Sequence, residues 1–230
     1  MTEQVIPRHI GYIVDGNRRW AKKHGLPSYE GHLAGYNNLH EIVEATINSG
    51  VEYVSAYVFS TENWKRSKKE INKFMGLALR SLTSDLHIFE EKNIRLLVMG
   101  YRENVNESIL KAINNAEKKT AKNTAGTFAV CFNYGGQLEI VDAVKKIIKS
   151  GESTDNITVD LISKNLYSPE VPPLDLIVRT SGEKRISNFM LWRSAYSEIM
   201  FIDKLWPDLT QDDVTDIIDQ FSLRARRFGG

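Results

Sequence analysis

Short β-branched and aromatic runs alternate with longer amphipathic stretches along this chain, and that alternation restricts its folds more than any other feature. Strand-like runs are expected at 9–14, 53–59, 94–99, 127–132, 174–178 and 199–202. Helical patterns lie between them at 33–48, 69–92, 106–119 and 137–149. Strands joined through helices demand right-handed crossovers, so the expected fold is α/β: a mainly parallel central β-sheet flanked by helices. The 230 residues suit one domain, 1–230, because no repeat and no shift of composition marks a boundary. Ligands of such sheets sit beyond the carboxyl ends of the strands. Asp15, Ser60 and Arg179 each stand at a strand exit.

Composition removes several classes of function. Thirty Lys and Arg against 29 Asp and Glu give a formal net charge of +1, which argues against a nucleic-acid partner. The basic run at 224–227 comes without an aromatic platform or a recognition helix. Cys131 is the single cysteine and lies in an apolar run, which predicts a buried, inert thiol in a reducing compartment. Residues 1–9 lack a basic patch followed by an apolar core, and no stretch approaches a membrane span. A cytoplasmic protein is expected.

Residues 9–20 run from an apolar strand through Asp15-Gly16-Asn17 into Arg18, Arg19 and Trp20. Strand, tight turn and helix start aim backbone N–H groups at an anion, and two arginines add charged donors. Asp15 is explicable there if a divalent cation bridges carboxylate and phosphate. The stretch reads as a Mg²⁺-assisted diphosphate site, with plain turn chemistry the other reading. His32 follows as a lone histidine, structural or a donor to phosphate. The polar cluster 60–66, directly after a strand, carries too many functional groups for simple solvation. A third cluster, 179–187, suits a second polyanion, with a surface loop as the alternative.

Ser67 to Glu70 has the capping-box pattern at the head of the 69–92 helix. Ile71, Phe74, Met75, Ala78, Leu82, Leu86 and Phe89 form its apolar stripe, read as core packing or as the wall of a lipid-sized tunnel.

The blocks Asp-Gly-Asn-Arg-Arg-Trp-Ala (15–21), Gly-His (31–32), Phe-Ser-Thr-Glu-Asn-Trp (59–64) and Arg-Thr-Ser-Gly-Glu…Arg-Ile-Ser-Asn-Phe…Leu-Trp (179–192) together resemble the cis-prenyltransferases. Undecaprenyl diphosphate synthase is the best-known bacterial member of that family. The resemblance spans 7–230 with the blocks in family order. It implies an apolar tunnel beside the sheet, a homodimer, and extension of an allylic diphosphate such as farnesyl diphosphate with isopentenyl diphosphate. It further implies Mg²⁺ held by Asp15 and by Glu198, the latter reaching across the dimer. On matching positions, Gly16, Asn17, Arg18 and Arg19 cradle the allylic diphosphate, with Trp20 and His32 in the same blocks and Ser28 just ahead of the Gly-His pair. Ser60, Thr61, Glu62, Trp64 and Arg66 line the reaction centre, and Asn63 is the family's candidate for assisting proton removal. Arg179, Arg185, Ile186 and Ser187 serve the isopentenyl diphosphate, joined by Arg227 and Gly229 of the C-terminal Arg-x-Gly element. The implied product is a polyprenyl diphosphate of the undecaprenyl carrier type; a short-chain product and a non-catalytic partner subunit are the alternatives. Peripheral contact with the inner face of a membrane, for product release, stays open.

Ser28 stands where the family usually has a diphosphate-binding arginine, so either Arg18 compensates or affinity falls. Asp212-Asp213-Val214-Thr215-Asp216 matches the Asp-Asp-x-x-Asp motif of the unrelated all-α trans-prenyltransferases, but those need two such motifs. Behind Thr210 it reads as a capped helix start. Strand alternation points Val58 and Ser60 the same way, which would set Val58 just inside the tunnel mouth. Many long-chain members of the family carry alanine there, so valine is read either as narrowing the channel or as an ordinary β-branched strand residue.

Overall fold

The computed structural model describes residues 4–224. A six-stranded sheet runs in the order β3-β4-β2-β1-β5-β6, and every pairing in it is parallel. The strands are β1 (His9–Ile13), β2 (Tyr53–Ser60), β3 (Ile94–Met99), β4 (Gly126–Tyr134), β5 (Leu176–Arg179) and β6 (Glu198–Phe201). The helices are α1 (Asn17–Lys23), α2 (Ser28–Asn48), α3 (Lys68–Leu82), α4 (Leu86–Glu91), α5 (Glu107–Thr120), α6 (Gly136–Lys149), α7 (Val159–Asn165) and α8 (Gln211–Ser222). Short 3-10 turns occupy Thr61–Lys65 and Trp206–Asp208. Among the described residues no helix is long and apolar enough to cross a membrane.

Burial on both faces follows the two-residue period of the strands. Ile10, Tyr12, Val54, Ala56 and Phe128 face one core, completed by residues such as Ile42, Phe89, Ile113 and Ile217. Ile13, Tyr57, Met99 and Cys131 face the other, with Leu174 and Phe189. Burial raises the Cys131 thiol well above its ordinary pKa, so it is an inert core group. Behind the second core lies an ion pair invisible in the sequence. Arg193 Nη1 donates to Glu139 Oε1 at 2.7 Å, with the two residues 4% and 0% exposed. Arg193 also donates to the carbonyls of Val171 and Tyr167, and Glu139 accepts from the Tyr134 hydroxyl and the Tyr167 N–H.

The expected single helix over 69–92 is two helices. Thr83 leaves the helical region (φ −127°, ψ −83°), and its hydroxyl donates to Leu79 O at 2.7 Å, the local competition that helps end helices. The carboxylate of Asp85 is taken by Tyr36 and Arg80. The apolar period continues across the break because Leu86 and Phe89 of α4 re-enter the same core. The capping box at Ser67 is half formed: Ser67 accepts from the Glu70 N–H at 3.3 Å, while the Glu70 carboxylate takes Arg66 at 3.0 Å. At α8 the box is complete, since Asp213 accepts from the Thr210 N–H at 2.6 Å and pairs with Lys204. The Asp-Asp-x-x-Asp segment is therefore a helix start.

Candidate active site

The chain leaves β1 through a turn that only glycine fits at its second position. Gly16 has φ +108°, and a Cβ there would lie 3.1 Å from the Ser181 Cβ. That turn directs the Asp15 carboxylate beyond the sheet rim and opens α1 with Asn17, Arg18 and Arg19. The start of α2 crosses α1 at backbone contact: a Cβ on Gly31 would fall 1.9 Å from Asn17 O. Glycine is required there for proximity alone.

Asp15 is bracketed by the exit of β5. Its backbone N–H donates to Thr180 Oγ1 at 3.1 Å and its carbonyl accepts from the same hydroxyl at 2.6 Å. Its carboxylate accepts from Gly16 N–H at 2.7 Å and from Arg179 Nη2 at 2.9 Å. Arg179 also donates to Ser187 Oγ at 2.7 Å and to Arg185 O, while its Nε is buried without a hydrogen-bond partner. Arg19 donates to Ser181 through both terminal nitrogens and lies 3.4 Å from Glu183. The loop that supplies these groups holds four non-glycine residues at positive φ: Ser181 (76°), Ser187 (49°), Asn188 (66°) and Met190 (42°). Such conformations persist where the surroundings over-determine them; here Ser181 N–H donates to Lys204 O and Gly136 N–H to Asn188 O.

Asp15, Gly16, Asn17, Arg18, Arg19, His32 and Arg66 line one pocket of about 370 Å³, together with Val14 and Phe74. Arg18, Arg19 and Arg66 outnumber Asp15 among its lining residues, so it favours an anion. His32 stays neutral: burial, reinforced by the charges of Arg66 and Arg18 against that of Glu70, pushes its pKa down to about 4. Val14, Asn17, His32 and Phe74 also line a second, apolar cavity directly adjoining, between α2, α3 and the sheet. Leu39, Val58, Leu77, Ala78, Leu96, Val98, Phe128 and Val130 complete most of its wall.

Other expected residues sit apart from this pocket. Trp20 donates to Asp208 Oδ1 at 2.6 Å, tying α1 to the Trp206–Asp208 turn. Ser28 lines a neighbouring groove with Arg18, Lys69, Glu70 and Lys73. Asn63 spends its side-chain oxygen on the Ser60 N–H, 3.2 Å away, closing the Ser60 turn. Trp64 donates to Asn133, and Glu62 accepts from Asn188 at 3.1 Å. Burial pulls the Glu62 pKa upward, but hydrogen bonds from its own backbone, Asn188, Ser60 and Thr61 outweigh it and hold the carboxyl low. Arg185 pairs with Glu183 at the surface, and Ile186 packs on the second core. Glu198 starts β6 in register with Leu176, at the opposite end of the sheet from Asp15, and accepts from Arg224 at 2.9 Å. Arg227 and Gly229 lie outside the described residues.

Val58 reaches the apolar cavity by a different route from simple alternation. The β2–β4 register slips between Tyr57 and Phe59 and again before Ser60, so Val58 and Phe59 both line the cavity and Ser60 does not. Thr180 was visible in the sequence only as one hydroxyl of a polar cluster, and its grip on the Asp15 backbone needs the β1–β5 pairing.

A family model described as putative undecaprenyl diphosphate synthase matches residues 13–229. The chain belongs to this family. An isoprenyl transferase of Thermotoga maritima is 44% identical over 227 residues, covering 98% of this chain and 97% of that one. A trans,polycis-polyprenyl diphosphate synthase of Thermobifida fusca, specific for (2Z,6E)-farnesyl diphosphate, is 40% identical over 100% of this chain and 83% of its own. Lavandulyl diphosphate synthase from Lavandula x intermedia, solved with dimethylallyl diphosphate, superposes with a TM-score of 0.94 at 31% identity, covering 99% of this chain and 100% of that one. The chain is accordingly an enzyme that transfers prenyl groups.

Proposed function

We propose that this cis-prenyltransferase condenses isopentenyl diphosphate with an allylic diphosphate such as farnesyl diphosphate, giving a polyprenyl diphosphate of the undecaprenyl carrier type. The observation that carries this reading is the junction of an arginine-lined polar pocket with an apolar cavity through Val14, Asn17, His32 and Phe74. A charged head beside an apolar tail matches an allylic diphosphate.

Arg18, Arg19 and Arg66 hold the allylic diphosphate, with the N–H groups at the start of α1. Neutral His32 donates a hydrogen bond to a phosphate oxygen. Arg179, Arg185 and Ser187 hold the isopentenyl diphosphate; the unpartnered Nε of Arg179 supplies a buried donor for it. The apolar wall keeps water from the allylic cation. Ser60 to Trp64, with Asn63 holding their turn, shape the rim where the new bond forms.

The Asp15 carboxylate fits a hard cation. It has oxygen sites beyond the two that Gly16 and Arg179 occupy. Among the described residues no group of three or more His, Cys, Asp or Glu side chains comes together. A cation at Asp15 would therefore draw its other ligands from phosphate and water, which is the habit of Mg²⁺. When bound, it neutralises the leaving diphosphate. A homodimer is supported by the β6 edge strand, where Ile199 and Phe201 are exposed. Glu198 on that edge would serve a second copy rather than its own Asp15, from which the length of the sheet separates it. Work takes place in the cytoplasm, with the apolar product released at a membrane surface.

A short-chain product is favoured by one observation. The apolar cavity measures about 100 Å³, and an engineered apolar cavity of about 150 Å³ takes a ligand the size of benzene. Long products require this cavity to open. The deciding experiment incubates the protein with isopentenyl diphosphate, Mg²⁺ and allylic primers of increasing length, and reads product length by mass spectrometry. Polyprenyl products confirm the reading, arrest after one addition favours the short-chain form, and no turnover with any primer overturns both.

A further inference from the structure

The wall of the apolar cavity is fastened by a polar clasp that the reaction chemistry does not use. Tyr36 lines the cavity from α2, one residue beyond Gly35. Its hydroxyl donates to Asp85 Oδ2 at 2.8 Å, in the break between α3 and α4. Arg80 Nε donates to the same oxygen at 2.8 Å, with its guanidinium 5.7 Å from the Tyr36 ring centroid. One turn further along α2, His40 meets the Tyr36 ring edge-on at 5.0 Å and Phe89 of α4 at 5.2 Å. Neither ring nitrogen of His40 has a hydrogen-bond partner.

The clasp joins the two walls that must part if the cavity is to lengthen. Phe74, Leu77, Ala78, Ser81 and Leu82 of α3 form one wall, and His32, Tyr36 and Leu39 of α2 the other. The break at Thr83 to Asp85 ends α3 at the point where Tyr36 holds it. The Asp85 side chain is 13% exposed, so its two charge-assisted bonds are screened little by water.

We infer that Tyr36, clasped to Asp85, determines product length by holding α2 and α3 together and by filling the cavity between them. The inference rests on the prenyl-transfer reading above and names the residue that sets its specificity. Growth of the chain presses on the clasp, and elongation stops when the tail can no longer part it.

Two substitutions separate the bond from the bulk. Tyr36→Phe keeps the ring and removes the donor; Tyr36→Ala also frees on the order of 100 Å³, enough for roughly one isoprenyl unit in a close-packed wall. Expected is a shift of the most abundant product by about one isoprenyl unit for Tyr36→Phe and by more for Tyr36→Ala, since volume adds to the loosened joint. Unchanged or shorter products from active variants overturn the inference. If either variant is inactive, binding of saturated alkyl diphosphates of rising tail length carries the test. Affinity should keep rising in the variant beyond the length at which the unsubstituted protein levels off, and an identical plateau overturns the inference. A wild-type protein without prenyl transfer would instead remove the reading beneath it.

Discussion

Arg179, the last residue of β5, donates to the carboxylate of Asp15, just beyond the end of β1, at 2.9 Å. The two side chains are 5% and 33% exposed, so a mostly buried cation is matched to a carboxylate that still reaches solvent. Parallel pairing of Ile13 with Arg179 brings the two residues to the same rim of the sheet. Residues far apart in sequence thus meet at one rim, and the carboxylate proposed to hold a cation is oriented by the residue proposed for the second substrate.

Product length should also respond at Val58. Val58→Ala is expected to lengthen the product distribution and Val58→Leu to shorten it, because the side chain lines the apolar cavity. Chain-length analysis by mass spectrometry reads both. An unmoved distribution for the pair would place the length determinant deeper, along α3 and α4.

The crossing of α1 and α2 predicts a positional effect on catalysis. Gly31→Ala puts a methyl group 1.9 Å from Asn17 O, so the start of α1 must move with Arg18 and Arg19. Displacement of this kind should lower kcat/KM about tenfold or more while the fold persists. Kinetics alongside far-ultraviolet circular dichroism distinguish misplacement from unfolding.

Of these features the sequence shows some and conceals others. Strand order, the main crossover helices, the rim position of Asp15 and Arg179, and the cap at Thr210 were all legible, since each depends on a local pattern of a few residues; the short α7 was not read. The break after Leu82 was hidden because the apolar stripe keeps its period through Leu86 and Phe89 while the backbone does not. The slip at Val58 was hidden because a bulge leaves no mark on composition. The Glu139–Arg193 pair and the Tyr36–Asp85 clasp join residues 54 and 49 positions apart, and nothing near either partner announces the other.

Removal of Arg193 tests the hidden ion pair. Arg193→Ala leaves Glu139 buried without its counter-charge, at an expected cost of about 3–5 kcal/mol. The urea midpoint should fall accordingly. A midpoint within error of the unsubstituted protein would show that the pair adds nothing to stability.

Acid should destabilise the protein through its buried histidines. Burial pushes both His9 and His32 from the ordinary 6.5 to about 4. The unfolded chain therefore takes up protons below pH 6.5 that the folded chain refuses until about 4. Their full stabilising contribution is present above the upper limit, falls as pH drops through this window, and changes little below it. The loss is on the order of 3 kcal/mol at most for each histidine. Urea titrations across the window should show it, with a smaller loss in His32→Gln.

The proposed role of the carboxylate at the β1 exit offers the most direct test of the site. Asp15→Ala and Asp212→Ala, both checked for an intact thermal melt, should be compared in prenyl transfer from an allylic diphosphate with isopentenyl diphosphate and Mg²⁺. Turnover should fall by about a thousandfold or more in Asp15→Ala, as loss of the principal charge-stabilising group implies, and stay near wild type in Asp212→Ala. A folded Asp15→Ala protein with near-normal turnover, or an inactive Asp212→Ala, would contradict the account.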